Sequence, residues 1–239
     1  MAKDIIRQLQ NKLIVSCQAF PEEPLYGADI MAKMAVASVE GGAAGIRACW
    51  PENIKLIKQS VTVPVVGINK VINGEYNVRD DIIITPSLES ALIIAEADAD
   101  IIALDGTLRK RTYDEFASMV SKLKQMTQKP LMADISTLDE AVMAQELGFD
   151  IVSTTLSGYT RYSKQCNGPD LDLIEAIHNK ITLPINAEGR FIKPEDIEKA
   201  FQLGAWCMTI GSAITRPEFI TRHFVEIIEK FEIKQTGLE

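Results

Sequence analysis

Four cysteines in 239 residues, none in a Cys-x-x-Cys pair, are poor material for a disulfide scaffold or a zinc site. Cys17, Cys49, Cys166 and Cys207 lie far apart and read as thiols in a reducing compartment. Histidine is scarcer still. His178 and His223 fall within helical patterns, and no His/Asp/Glu cluster has metal-ligand spacing, so no metal is expected. Neither a Walker nor a Rossmann glycine pattern is present, and no nucleotide cofactor is expected. No apolar run approaches the roughly 20 residues of a membrane span. Met1 to Gln10 has no apolar signal core, which points to the cytoplasm. Positive charge is also short: 25 Lys and Arg stand against 33 Asp and Glu, for a net −8 with no long basic tract. A nucleic-acid or anionic membrane partner is therefore excluded, because such surfaces demand a concentrated basic footprint. A small anionic ligand needs only a few local donors and is still allowed.

What is present is ordinary globular composition: 46% apolar and 24% charged residues, 14 glycines and 10 prolines. A chain of this length buries about 70% of its unfolded surface without a staple. Residues 1–239 read as one domain. Eight short apolar runs recur at 13–17, 45–48, 64–68, 101–104, 130–133, 150–153, 183–187 and 206–210. They are near-continuous rather than alternating, as strands covered on both faces should be. Between them lie amphipathic segments with helix signals. Thr112/Glu115, Thr137/Glu140 and Thr215/Glu218 have capping-box spacing, Pro51 and Pro194 suit first turns, and Asp170 suits an N-cap. "VEGGAAG", "AEADAD", "QELGFD" and "FQLGAW" are four versions of one helix exit. Eight such units predict an α/β fold of the (β/α)8 TIM-barrel type, with a doubly wound open sheet as the alternative. Residues 71–85, which include Asn73 and Gly74, are expected to form a long loop with a short extra strand at Ile82 to Ile84.

The carboxyl ends of barrel strands form the active face. Those positions hold Gln18, Arg47, Lys70, Asp105, Asp134, Thr154, Thr155, Glu188, Gly211 and Ser212. Lys70 follows the third run and Glu188 the seventh. Four strands apart in an eight-stranded barrel, they face each other across the mouth. A lysine desolvated there accepts a proton more readily, or forms a Schiff base. An acid and a base on opposite sides of a flat carbanion is the geometry of stereochemical inversion. Asp105 and Asp134 suit turn-capping, hydroxyl binding or steadying the lysine. Arg47 suits a ligand oxygen or a salt bridge to a neighbouring strand-end acid. "AEGR" (187–190) and "TIGSAITR" (209–216) offer an anion seat: Gly189, Gly211 and Ser212 present backbone N–H groups, and Arg190 and Arg216 add charge. The polar stretch 154–163 reads as part of the mouth or a partial lid.

Together, "LIVSCQ" (13–18), "GIRA" (45–48), "IIALDGT" (101–107), "MADIST" (132–137), "STTLSGYT" (153–160), "AEGR" and "GSAITRP" (211–217) resemble the bacterial N-acetylmannosamine-6-phosphate 2-epimerase family over nearly the whole chain. The resemblance implies a (β/α)8 barrel without metal or nucleotide cofactor, often a homodimer. It implies interconversion of N-acetylmannosamine 6-phosphate and N-acetylglucosamine 6-phosphate in amino-sugar and sialic acid breakdown. By the same resemblance Lys70 and Glu188 are catalytic. Gln18, Arg47, Asp134 and Arg216 contact substrate, with Arg216 at the phosphate. Asn69, Val71, Ser153 and Asn186 depart from the family's usual residues. Two other readings fit the same residues: a Schiff-base aldolase on a related sugar phosphate, and a non-catalytic sugar-phosphate-binding regulator. An apolar stripe from Phe219 to Ile228 suits either completion of the barrel or a partner.

Overall fold

The computed structural model describes residues 2–72 and 74–236; Asn73 lies outside the described residues. Eight parallel strands close into a barrel in sequence order. They are β1 (Leu13–Cys17), β2 (Gly45–Cys49), β3 (Val65–Ile68), β4 (Ile101–Asp105), β5 (Leu131–Asp134), β6 (Ile151–Ser153), β7 (Ile185–Glu188) and β8 (Cys207–Ile210). β8 returns to β1 through Leu13 beside Met208 and Val15 beside Ile210. Every expected run is a strand, and the fold is the (β/α)8 barrel.

The helices are α1 (Ala2–Gln8), α2 (Ala28–Glu40), α3 (Pro51–Ser60), α4 (Leu88–Glu96), α5 (Tyr113–Thr127), α6 (Leu138–Glu146), α7 (Leu171–Lys180), α8 (Pro194–Gln202), α9 (Ser212–Thr215) and α10 (Pro217–Thr236). The capping boxes of α5 and α6 are closed in both directions. Pro51 and Pro194 open α3 and α8, and Asp170 caps α7. The four repeated helix exits share one backbone solution. Gly42, Asp98, Gly148 and Gly204 have φ of 101°, 67°, 79° and 104°, the left-handed turn that sends a helix back toward its next strand.

Successive strand side chains point to opposite faces, so each apolar run divides in two. Val15, Ile46, Val65, Ile102, Leu131, Val152, Ile185 and Met208 pack against the helices. Ile14, Val66, Ile101, Met132, Ile151 and Cys207 fill the barrel, with Ile6 and Leu9 closing its amino end. Both sets are apolar, which is why the runs read as continuous. Toward the carboxyl ends the inward set turns polar: Ser16, Arg47, Asp105, Asp134, Ser153, Asn186 and Thr209 are all buried. A buried polar layer must be internally paired, and that pairing builds the floor of the mouth.

Three expectations change. Ile82 to Ile84 do not form a strand; a single antiparallel bridge joins Ile84 to Lys70. The Ile84 carbonyl also accepts from the Asp105 amide at 3.1 Å, so the segment is held between β3 and β4 instead of extending into a sheet. The Thr215/Glu218 box is absent because Thr215 ends α9, and its hydroxyl donates to the carbonyls of Ser16 (2.9 Å) and Gly211 (3.1 Å). The apolar stripe of α10 does not complete the barrel: Phe224, Ile227, Ile228 and Phe231 are exposed. Among the described residues no helix is long and apolar enough to cross a membrane.

Candidate active site

A cavity of about 460 Å³ opens at the carboxyl ends of the strands, a size suited to a small-molecule ligand. Lys70 and Glu188 both line it, from β3 and β7, four strands apart in the closed barrel. The Lys70 backbone is fixed on two sides. Its carbonyl accepts from Trp50 Nε1 at 3.0 Å, and its strand position is bridged to Ile84. Its Nζ lies 4.6 Å from the centroid of the Phe20 ring. That contact favours the ammonium form, but burial, reinforced by the Arg47 charge, lowers the Lys70 pKa.

Glu188 is held from below. Its Oε2 accepts from Thr155 Oγ1 at 2.9 Å and from Ser153 Oγ at 3.3 Å, and lies 3.2 Å from Arg47 Nη1. Arg47 is 1% exposed and clasps Asp134 at 3.1 and 2.6 Å, a two-point grip. Burial alone would favour loss of the Arg47 proton; Asp134 and Glu188 more than offset it and hold the guanidinium above its ordinary range. Burial raises the Glu188 pKa, Asp134 adds to the rise, and Arg47, Thr155 and Ser153 oppose it. Lys70 and Glu188 are thus displaced toward one another, each closer to its neutral form than in water. Such a pair is suited to handing one proton across a shared substrate atom.

The other sequence-read residues divide by position. Gln18 and Thr155 line the cavity; Gln18 Nε2 donates to Ser16 Oγ at 2.7 Å, and its buried Oε1 accepts nothing from the described residues. Arg47 and Asp134 lie beneath the cavity instead of lining it, because each satisfies the other inside the barrel. Asp105 stands apart. It is fully buried and accepts from Thr107 Oγ1 (2.7 Å), Thr107 N (3.0 Å) and Arg109 Nη2 (2.5 Å), all from its own loop. Its carboxylate is spent on that loop and does not reach the ligand space.

Gly189, Gly211, Ser212, Arg190 and Arg216 gather on one wall of the cavity. Gly189 adopts φ 116°, a turn that side chains rarely accept. The first amides of α9 have no acceptor within that short helix. Arg216 pairs with Glu23 and with Glu218 at 2.8 Å. Arg190 is engaged elsewhere: it donates to the carbonyls of Gly168 and Ser157, each at 2.8 Å, and contacts Cys166 Sγ at 3.1 Å. It fastens the loop after β6 while also lining the cavity. That loop supplies Thr155 and Tyr159 to the cavity, and its Arg161 pairs with Asp80 of the loop after β3. Among the described residues no group of three or more His, Cys, Asp or Glu side chains is placed to hold a metal ion.

Residues 31–230 match the family described as "Putative N-acetylmannosamine-6-phosphate epimerase" (NanE). The chain belongs to this family. A relative from Caldanaerobacter subterraneus named "Putative N-acetylmannosamine-6-phosphate 2-epimerase" is 47% identical over 235 residues, covering 96% of each chain. One from Clostridioides difficile is 44% identical over 226 residues, covering 94% of this chain and 99% of its own. The solved structure of the N-acetylmannosamine-6-phosphate 2-epimerase from Clostridium perfringens superposes with a TM-score of 0.87 at 42% identity, covering 93% of this chain and 96% of that one. A thiamine phosphate pyrophosphorylase from Pyrococcus furiosus, at 17% identity and a TM-score of 0.60, shares the fold alone.

Several residues of this NanE-family site were not singled out from sequence. Phe20, Glu23, Tyr159 and Thr209 line the cavity, and Ser16 joins them from β1. Thr209 and Ser16 were visible as inward strand positions, each two residues beyond an apolar inward neighbour. Glu23 and Phe20 lie in a loop whose path carries no period, so no pattern announced them. Asn186 and Ser153 had been noted only as departures from the family, and the structure joins them by a 2.7 Å hydrogen bond.

Proposed function

We propose that this chain interconverts N-acetylmannosamine 6-phosphate and N-acetylglucosamine 6-phosphate in amino-sugar and sialic acid breakdown. Family membership carries the substrate, and the approach of Lys70 and Glu188 to one cavity from opposite strands carries the mechanism. The hydrogen on C2 of the closed sugar is not acidic. Ring opening exposes the C1 aldehyde, after which C2 can lose its proton as an enolate forms. Lys70 and Glu188 move protons at the two faces of that flat intermediate. One face's proton is removed, the other face is protonated, and the C–H bond returns inverted. Both residues have pKa values shifted toward this exchange.

Gln18 and Thr155 meet sugar oxygens or the N-acetyl group; the unpartnered Gln18 Oε1 is an acceptor suited to a ligand N–H or O–H. Arg47 and Asp134 act through Glu188. The phosphate rests on the amides near Gly189, Gly211 and Ser212, with Arg216 turning from Glu23 to the incoming anion. Anchoring that remote end orients the reacting carbon. Incubation with N-acetylmannosamine 6-phosphate in D₂O, followed by NMR, should give the C2 epimer with deuterium at C2. Neither epimer nor exchange would remove the reaction.

Residues 1–239 act as one barrel unit. Free thiols, three of them buried, suit the cytoplasm. The exposed Phe224, Ile227, Ile228 and Phe231 of α10 are covered by the same helix of a second copy, since each copy brings an equal unburied stripe. Native mass measurement should give a dimer, and charge at Ile227 and Phe231 should return it to monomer.

A further inference from the structure

The barrel interior below Glu188 holds a polar layer in which Asn186 and Ser153 do not line the cavity and Thr209 does. Asn186 precedes Glu188 by two residues on β7, so both point inward. Asn186 is fully buried. Its Nδ2 donates to Ser153 Oγ at 2.7 Å and lies 3.4 Å from Glu188 Oε2. Its Oδ1 accepts from Thr209 Oγ1 at 3.0 Å and from Cys207 Sγ at 3.5 Å. The amide orientation follows from its neighbours: the opposite one would set a carbonyl oxygen against the Glu188 carboxylate.

We propose that Asn186 is a positioning residue for Glu188, acting through the Ser153 hydroxyl and, at 3.4 Å, through its own Nδ2. Ser153 has one proton. With an Asn186 N–H on its oxygen, that proton is directed outward, either to Glu188 Oε2 at 3.3 Å or to Thr155 Oγ1 at 2.7 Å. Thr155 likewise has one proton, within reach of both Glu188 Oε2 and Asp134 Oδ1 at 2.9 Å. Asp134 already holds two Arg47 nitrogens. One of these two protons must lie between Ser153 Oγ and Thr155 Oγ1, so the chain Thr209, Asn186, Ser153, Thr155 delivers the other to Glu188 Oε2. Without Asn186, the Ser153 oxygen becomes the nearest acceptor for the Thr155 proton, and Glu188 exchanges the 2.9 Å Thr155 donor for the 3.3 Å Ser153 one and loses the Asn186 Nδ2 donor at 3.4 Å. Tying Oε2 in this way fixes the carboxyl group and leaves Oε1 toward the cavity.

The charged and titratable groups facing Glu188 are Arg47 from β2, Lys70 after β3, Asp134 from β5 and Cys207 from β8. None of them changes in Asn186→Leu or Ser153→Ala, so a shift in Glu188 titration in these variants reports the hydrogen-bond chain.

This inference rests on Glu188 moving a proton in the proposed reaction, yet it can be tested without turnover. Carbon-13 NMR of protein labelled at glutamate side-chain carboxyls, with Glu188→Gln to assign the signal, reads the Glu188 titration directly. Loss of one hydrogen bond to the carboxylate should move the midpoint up by about one pH unit in each single variant. The double variant should move by clearly less than the sum of the two singles, because part of the Asn186 effect runs through Ser153. The limb of kcat/KM that belongs to Glu188 should follow. Unmoved midpoints in folded variants, or shifts that simply add, would overturn the proposal. If Asn186→Leu fails to fold, Ser153→Ala, which removes one oxygen, decides alone: a raised midpoint supports the chain and an unmoved one ends it. An inactive wild type with the expected midpoint shifts would remove the reaction and leave the positioning intact.

Discussion

Two carboxylate–arginine clusters sit at neighbouring strand ends of the same barrel, and they do opposite things. Asp105 and Asp134 are side by side in the register of β4 and β5, and both are fully buried. Asp105 takes its arginine from four residues on, with Arg111 at 3.8 Å from the same loop. Asp134 takes Arg47 from β2, three strands away around the barrel. A local partner closes a loop onto itself and exposes nothing. A distant partner spans the barrel interior, and the guanidinium that arrives there also reaches Glu188, at the rim of the cavity. The type of residue at a strand end therefore does not decide whether it serves the site; the origin of its partner does.

The largest expected effect separates the cavity pair from both clusters. Lys70→Met and Glu188→Gln should each lower turnover at least on the order of 10²-fold, with the protein still folded, since general acid–base transfer contributes about that much. The check is C2 proton exchange by NMR beside epimer formation. Asp105→Asn, by contrast, should leave turnover per folded molecule within a few-fold of the parent. A loss as large as that of Lys70→Met would place Asp105 in the chemistry and dissolve the contrast.

Stability gives the next effect. Arg47→Met leaves Asp134 buried and unpaired, and Asp105→Asn sets an amide against the buried guanidinium of Arg109, which is 8% exposed. Breaking a buried pair from one side costs about 3–5 kcal/mol, so both variants should show clearly lowered midpoints in urea. They should part company in activity. The folded fraction of Arg47→Met should be slow, because Glu188 has lost its nearest cation, while that of Asp105→Asn should not. Equal turnover losses in the two would argue against a role for Arg47 through Glu188.

The same contrast explains what was legible in the sequence. Strands and helices were legible because their signals are local: eight apolar runs, two closed capping boxes, four left-handed exits. Lys70 and Glu188 were legible because strand count fixes who faces whom. Asp105 looked like Asp134 because both end apolar strands, and the sequence does not display that Arg109 reaches back to one while Arg47 crosses to the other. The partners of Arg190 were hidden for a related reason. It follows a glycine turn at the cavity, and carbonyls of the loop after β6, more than twenty residues earlier, take its donors. The third box failed at Thr215, whose hydroxyl found the Ser16 carbonyl of β1 from the opposite end of the chain.

The pH profile is the smallest effect and the finest test. In the proposed reaction the exchange needs one proton shared by Lys70 and Glu188, whichever of the two holds it as the cycle begins. Below the Glu188 pKa both are protonated, above the Lys70 pKa neither is, and the rate falls on both sides. Burial raises the Glu188 pKa above its ordinary 4.5 and lowers the Lys70 pKa below its ordinary 10.5. The bell in kcat/KM should therefore be narrower than free side chains would give, with both limbs moved inward. Removing the Arg47 charge removes the main opposition to the Glu188 rise and eases one of the influences lowering Lys70. In Arg47→Met both limbs should shift to higher pH, the acid limb by about one unit or more, since 1.4 kcal/mol corresponds to one unit. Asp105→Asn should leave both limbs in place, because the Asp105 charge is matched within its own loop. Limbs that moved alike in the two variants would mean that the two clusters are electrically one, and the distinction between local and distant partners would fail.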